Sequence, residues 1–145
     1  MMNADELHPD FERCLSDYQP KLQRLYRDIR TLVLSVHEDP NELLYNSHAL
    51  TSAFSLSEKL KDAFCHIALY SKHINLGFNS GALLDDPSGI LKGTGTKIRH
   101  IPFPNGDGLE SAEVRSMLER SVVFAQKQLD GAQRIKGQTY SKIKA

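Results

Sequence analysis

The densest run of groups able to recognise a ligand is Lys92-Gly93-Thr94-Gly95-Thr96-Lys97-Ile98-Arg99-His100. Glycines at 93 and 95 let the backbone turn sharply and point its N–H groups outward. The hydroxyls of Thr94 and Thr96 and the charges of the nearby lysines and Arg99 add donors of the kind that hold a phosphate or a carboxylate. The spacing is not a Walker loop, which needs G-x-x-x-x-G-K-[ST] leading into a helix, nor the dinucleotide fingerprint G-x-G-x-x-G. The competing reading is a glycine turn entering a strand, with its charged side chains in solvent.

A second set of polar residues depends on strand geometry. His73 and Asn75 fall on one face of a strand, and Lys97, Arg99 and Ile101 share a face of a later one. If the two strands are neighbours, His73, Asn75 and Arg99 converge on one patch, and Tyr45 joins from an earlier strand. The guanidinium of Arg99 is a fork suited to oxyanions. The expected ligand-binding set is therefore Tyr45, His73, Asn75, Gly93, Thr94, Gly95, Lys97 and Arg99. His73 is also the candidate acid or base of an enzyme, although a lone strand histidine more often serves structure; no catalytic residue is assigned.

Other chemistries lack their residues. The six histidines (His8, His37, His48, His66, His73 and His100) form no HxxxH, HExxH or Cys/His cluster, so no transition-metal site of standard spacing is expected. Cys14 and Cys65 are far apart and read as two reduced thiols, which fits a cytoplasmic protein. There is no G-x-S-x-G elbow, no motif that calls for a cofactor, and Asp85-Asp86 before Pro87 is a natural turn pair. Eighteen basic residues balance eighteen acidic ones, and that neutrality argues against nucleic acid as a partner, since phosphate binding needs a basic field. No apolar run approaches the ~20 residues of a membrane span, and the acidic start of the chain is unlike a signal peptide.

The elements that must position these groups follow from hydrophobic period. Leu22, Leu25, Tyr26, Ile29, Leu32, Val33 and Val36 recur at helical steps, predicting a helix from Pro20 to Val36 that Asp39-Pro40 closes. A shorter helix precedes it, with Pro9, Phe11, Leu15 and Tyr18. Leu43 to Tyr45, Ala49 to Phe54, Ala63 to Tyr70 and His73 to Phe78 read as four strands of an antiparallel meander. After a loop over 79–92 comes a fifth strand from Lys97 to Phe103, then a turn at Asn105-Gly106-Asp107-Gly108. A second long helix begins near Ser111 and carries Val114, Met117, Leu118, Ser121, Val122, Ala125 and Leu129 on one face. The chain length of 145 residues suits one domain. The expected fold is α+β: one antiparallel sheet of about five strands with N- and C-terminal helices on one face, over residues 1–130, followed by a polar, mildly basic tail at 131–145.

Several of these pieces together resemble a known family. His73-Ile74-Asn75-Leu76-Gly77-Phe78, then Gly81-Ala82-Leu83-Leu84-Asp85-Asp86-Pro87, then Leu91-Lys92-Gly93-Thr94-Gly95 and Ile98-Arg99-His100 resemble, in that order, the YdhG-like domains of unknown function. The resemblance spans roughly Pro20 to Ala125, and the flanking helices agree with it. It implies a small bacterial cytoplasmic α+β domain, one branch of which is described as a frataxin-like iron chaperone. The chain departs from the family at Thr96, where a lysine is usual and stands here at Lys97 instead, and at Asn46, where a glycine is usual.

Three functions follow as expectations. The first is a non-catalytic binding module for a small anionic ligand or a partner's acidic group. The second, through the resemblance, is iron delivery using carboxylates such as Asp85 and Asp86. The third is an enzyme with His73 as acid or base. A homodimer through a sheet edge is compatible with the sequence.

Overall fold

The computed structural model describes residues 5–104, 106–129 and 131–144. Helices α1 (Pro9–Leu15), α2 (Pro20–Val36) and α3 (Ala112–Gln128) pack on one face of a six-stranded sheet. Its strands are β1 (Asn41–Asn46), β2 (Leu50–Ser55), β3 (Ala63–Leu69), β4 (Ile74–Phe78), β5 (Arg99–Pro102) and β6 (Thr139–Ser141), in the order β5-β4-β3-β2-β1-β6. The α+β class and the helices near both ends of the chain are as expected. Among the described residues, no helix is long and apolar enough to cross a membrane.

The sheet differs from expectation in having a sixth strand, which makes it mixed: β6 runs parallel to β1 while the other pairs are antiparallel. The segment expected to be a polar tail thus returns to the sheet edge. Tyr140 and Ile143 pack against the apolar clusters, and a buried amide anchors the segment. Asn41, fully buried, accepts from the Gln138 N–H at 3.0 Å and donates to the Ile135 carbonyl at 3.0 Å. Gln133 donates to the Asp39 carbonyl, and the Ser141 hydroxyl donates to Asp10 on α1 at 2.6 Å. Of the turn expected after β5, Asn105 lies outside the described residues, while Gly106 and Gly108 take φ of 76° and 91°, which favours glycine.

Alternation sorts the strands into two faces. Phe54, Cys65, Ile67, Leu69, Ile74, Leu76, Phe78 and Ile101 point toward the helices and form the core with Phe11, Tyr26, Ile29, Val33, Met117 and Leu118. Arg30 breaks the apolar stripe of α2, and its charge is answered beneath the helix. It grips Glu42 of β1 through Nε and Nη2 at 3.0 and 2.8 Å, with both side chains buried. Tyr26 shares a 2.8 Å hydrogen bond with Ser52 one turn earlier. Buried charges of this kind persist only when paired and hydrogen-bonded.

Among the described residues, the opposite face carries no helix. A small cluster of Leu43, Ala53 and Ala63 lies there under Tyr45 and Tyr140. Farther along, Thr51, Ala68 and Asn75 line one cross-strand row and His66, Gly77 and His100 the next.

Candidate functional site

Strands β4 and β5 are neighbours, which was the condition for a shared patch, yet the patch does not form as expected. Asn75 pairs with Pro102 and Phe78 with Arg99. Cross-strand partners share a face, so Asn75 looks away from the helices while Arg99 and Lys97 lie on the helix side. A register one residue different would have put them together.

The eight residues of the expected set therefore fall in four places. Tyr45 and Asn75 occupy the helix-free face, and His73 lies at the turn that enters β4. The His73 ring stacks on Tyr70, with centroids 4.7 Å apart. Burial pushes the Tyr45 phenol up, with the Thr51 hydrogen bond opposing it. The Asn75 Oδ1 is buried and has no hydrogen-bond donor among the described residues. Gly93, Thr94 and Gly95 form an exposed loop, and Gly93 needs its φ of 124° to make the turn. Arg99 closes that loop, donating through Nη1 to the Gly95 and Ile98 carbonyls. Gly81 packs against it so tightly that a Cβ there would lie 2.6 Å from the Arg99 Cβ.

Asp86, considered as an iron ligand, accepts from the backbone N–H groups of Ile90 and Leu91 at 2.9 and 3.0 Å, which fixes the loop before Lys92. Among the described residues, no group of three or more His, Cys, Asp or Glu side chains is placed to hold a metal ion.

Lys97 stands apart from the rest of its loop. It lines a cleft of about 270 Å³ between the start of β3, the single turn of 3₁₀ helix at Gly81–Leu83 and the C-terminal half of α3. The floor is apolar, made of Ala63, Phe64, Leu84, Phe124 and Ala125. The rim is polar, with Lys61, Asp62, Ser80, Lys97 and Gln128. Lys97 is held there by its backbone: its carbonyl accepts the Ala82 N–H at 2.8 Å. Its ammonium forms no ion pair among the described residues. Lys61 lies 3.4 Å from the Asp62 carboxylate, which also accepts from the Ser57 hydroxyl at 2.6 Å. The carboxylate is thus already satisfied, and the cleft carries one positive charge in excess. Because α3 turns its C-terminal half to the cleft, its dipole supplies no donors there, and the lysines must provide the attraction.

Large apolar side chains are exposed on the cleft or next in sequence to its residues. Leu60 and Ile98 adjoin Lys61 and Lys97 in sequence and are 47% and 53% exposed. Leu83 and Val123 are 63% and 48% exposed. Scattered exposed apolar residues are ordinary; of these four, Leu83 lines the cleft itself and Val123 the groove beside it.

Sequence reasoning placed Lys97 among the ligand-binding residues but missed Lys61, Ser80, Phe124 and Gln128. Lys61 sits in a polar break between strands, where a lysine attracts no notice. A signal for Phe124 was present: Val123-Phe124 lies off the apolar stripe of α3 and gives the helix a second apolar face.

No family model, curated protein or solved structure matches the chain.

Proposed function

We propose that the protein is a non-catalytic binding module that holds a small anionic ligand in the cleft beneath Lys97. The observation that carries this reading is the pairing of an unpartnered lysine with an apolar floor in one concave site. Ligand sites combine apolar walls with a few convergent polar groups in just this way, though usually at roughly 300–1,000 Å³, so a small ligand is favoured. The resemblance to YdhG-like domains is part of the proposal; the motifs that carry it include Leu83 and Leu84 of the cleft but not Lys97.

A thermal-shift series with phosphate, acetate, butyrate and benzoate tests it. A ligand at a hundred times its dissociation constant adds about 2.7 kcal/mol, which moves the midpoint of a domain this size by several degrees. Stabilisation that is lost in Lys97→Ala supports the reading. Stabilisation indifferent to Lys97, or none with any of these anions, contradicts it.

A further inference from the structure

We infer that the ligand is a linear amphipathic monocarboxylate, its carboxylate at Lys97 and Lys61 and its hydrocarbon chain running over Phe124 into a groove between Leu83 and Val123. The inference rests on the anion-binding reading of the cleft and names the chemical class that fills it.

The first support is continuity. A second cavity of about 350 Å³ adjoins the cleft and shares Leu83, Leu84 and Phe124 with it. Its wall on the helix side is Val123, and on the loop side Leu83, the two most exposed apolar side chains near α3. A ligand confined to the cleft would touch Leu83 on one side only and leave Val123 in water. One that extends past Phe124 would cover them, and burial of apolar surface is the main source of affinity for such a chain.

The second support is charge. Lys61, Lys97 and Asp62 give the cleft a net charge of +1 (two minus one), which a monoanion neutralises and a phosphate dianion would overshoot. In the adjoining groove, Asp85 and Glu119 balance Arg120 and Lys127, so its net charge is zero (two minus two). Charge at one end and neutrality with exposed apolar walls at the other match a molecule with a single terminal carboxylate.

The third support is a fixed shape. The Arg120 Nε donates to the Asp85 carbonyl at 3.1 Å, tying α3 to the loop that carries Leu83 and Leu84. The Leu84 N–H donates to the Gly81 carbonyl at 3.1 Å and the Ala82 N–H to the Lys97 carbonyl, so the wall and the lysine are held by the same turn. A groove held open in this way costs little ordering when the chain enters.

The test is isothermal titration calorimetry of the full chain with butyrate, hexanoate, octanoate and octylammonium, below their aggregation concentrations. Affinity should tighten about fourfold for each added methylene, and octylammonium should bind at least about tenfold more weakly than octanoate. In Val123→Asn and Leu83→Asn, both at exposed positions where a fold defect is not expected and circular dichroism verifies it, the gain from butyrate to octanoate should collapse. Equal affinity for butyrate and octanoate would overturn the inference while leaving the anion reading intact. A chain-length gain that survives both variants would overturn it too, by placing the tail elsewhere. Octylammonium binding as well as octanoate would remove the role of the carboxylate; failure of every carboxylate to bind would overturn the inference, and failure of phosphate as well would remove the anion reading.

Discussion

The imidazole of His66 on β3 occupies the space that a side chain at Gly77 on β4 would fill. The two residues pair across the strands, and a Cβ built at Gly77 would fall within contact distance of Nε2, Cε1 and Cδ2, the last at 2.7 Å. The ring is held there by a 3.0 Å hydrogen bond between Nδ1 and the Asn79 Oδ1, in which the ring nitrogen must donate. Glycine at 77 is thus a steric requirement of a neighbouring strand rather than of its own backbone, whose φ is not positive.

Gly77→Ala should therefore destabilise the protein by about 1–3 kcal/mol, the range for inserting a methyl into a filled site. Adding His66→Ala should recover part of that loss, because the clash disappears with the ring. Urea unfolding of the two single variants and the double variant measures the coupling. Additive losses would show that the ring and the glycine do not compete.

His66 also makes stability depend on pH. Burial pushes its pKa below the usual 6.5, against the Asn79 hydrogen bond and aided by the charge of His100. The folded protein therefore resists a proton that the unfolded chain accepts. This contribution to stability is fully present above about pH 6.5 and is lost as pH falls from there toward the lower folded-state value. Chemical denaturation between pH 7.5 and 5 should show a steeper decline for the native chain than for His66→Phe. Parallel slopes would contradict the assignment.

The return of β6 to the sheet rests on Asn41. Asn41→Ala removes two hydrogen bonds, each worth about 1 kcal/mol, and leaves a buried cavity beside the edge strand. Hydrogen exchange should rise across residues 131–144 and the segment should become open to proteolysis, with the rest of the sheet protected. Unchanged protection would mean that the β1 backbone alone holds the strand, through the Glu42 and Lys142 N–H groups that donate to Gln138 and Leu44 at 2.8 Å.

Arg99 and Lys97 should behave differently although only Ile98 separates them. Arg99 already donates to two carbonyls of its own loop. Arg99→Ala should cost about 0.5–1.5 kcal/mol and loosen residues 93–98, while changing carboxylate affinity by less than about twofold. Lys97→Ala should barely affect stability and weaken binding about fivefold or more, the equivalent of roughly 1 kcal/mol. The reverse ranking in denaturation and titration would return the anion site to the glycine loop.

Much of the architecture was legible because it depends on local signals. The stripe of Leu22, Tyr26, Ile29 and Val33 located α2 to the residue, and the alternation of Ile74, Leu76 and Phe78 oriented β4. β6 was not legible, since Thr139, Tyr140 and Ser141 have no apolar pattern and depend on an amide almost a hundred residues away. The candidate site was legible only at Lys97. Faces within β4 and β5 were read correctly, but whether Asn75 and Arg99 meet depends on register between strands separated by a long loop, and no local signal sets it. The cleft depends on where α3 crosses β3, which the sequence of neither element encodes alone.

The most direct test of the central claim is a titration of ¹⁵N-labelled protein with butyrate, followed by amide chemical shifts. The account predicts saturable shifts concentrated at Lys61, Ser80, Leu84, Lys97 and Phe124, with Tyr45, His73 and Asn75 on the far face unmoved. Shifts centred on Gly93–Gly95 or on the helix-free face would place the anion site elsewhere, and no saturable shift at all would contradict it outright.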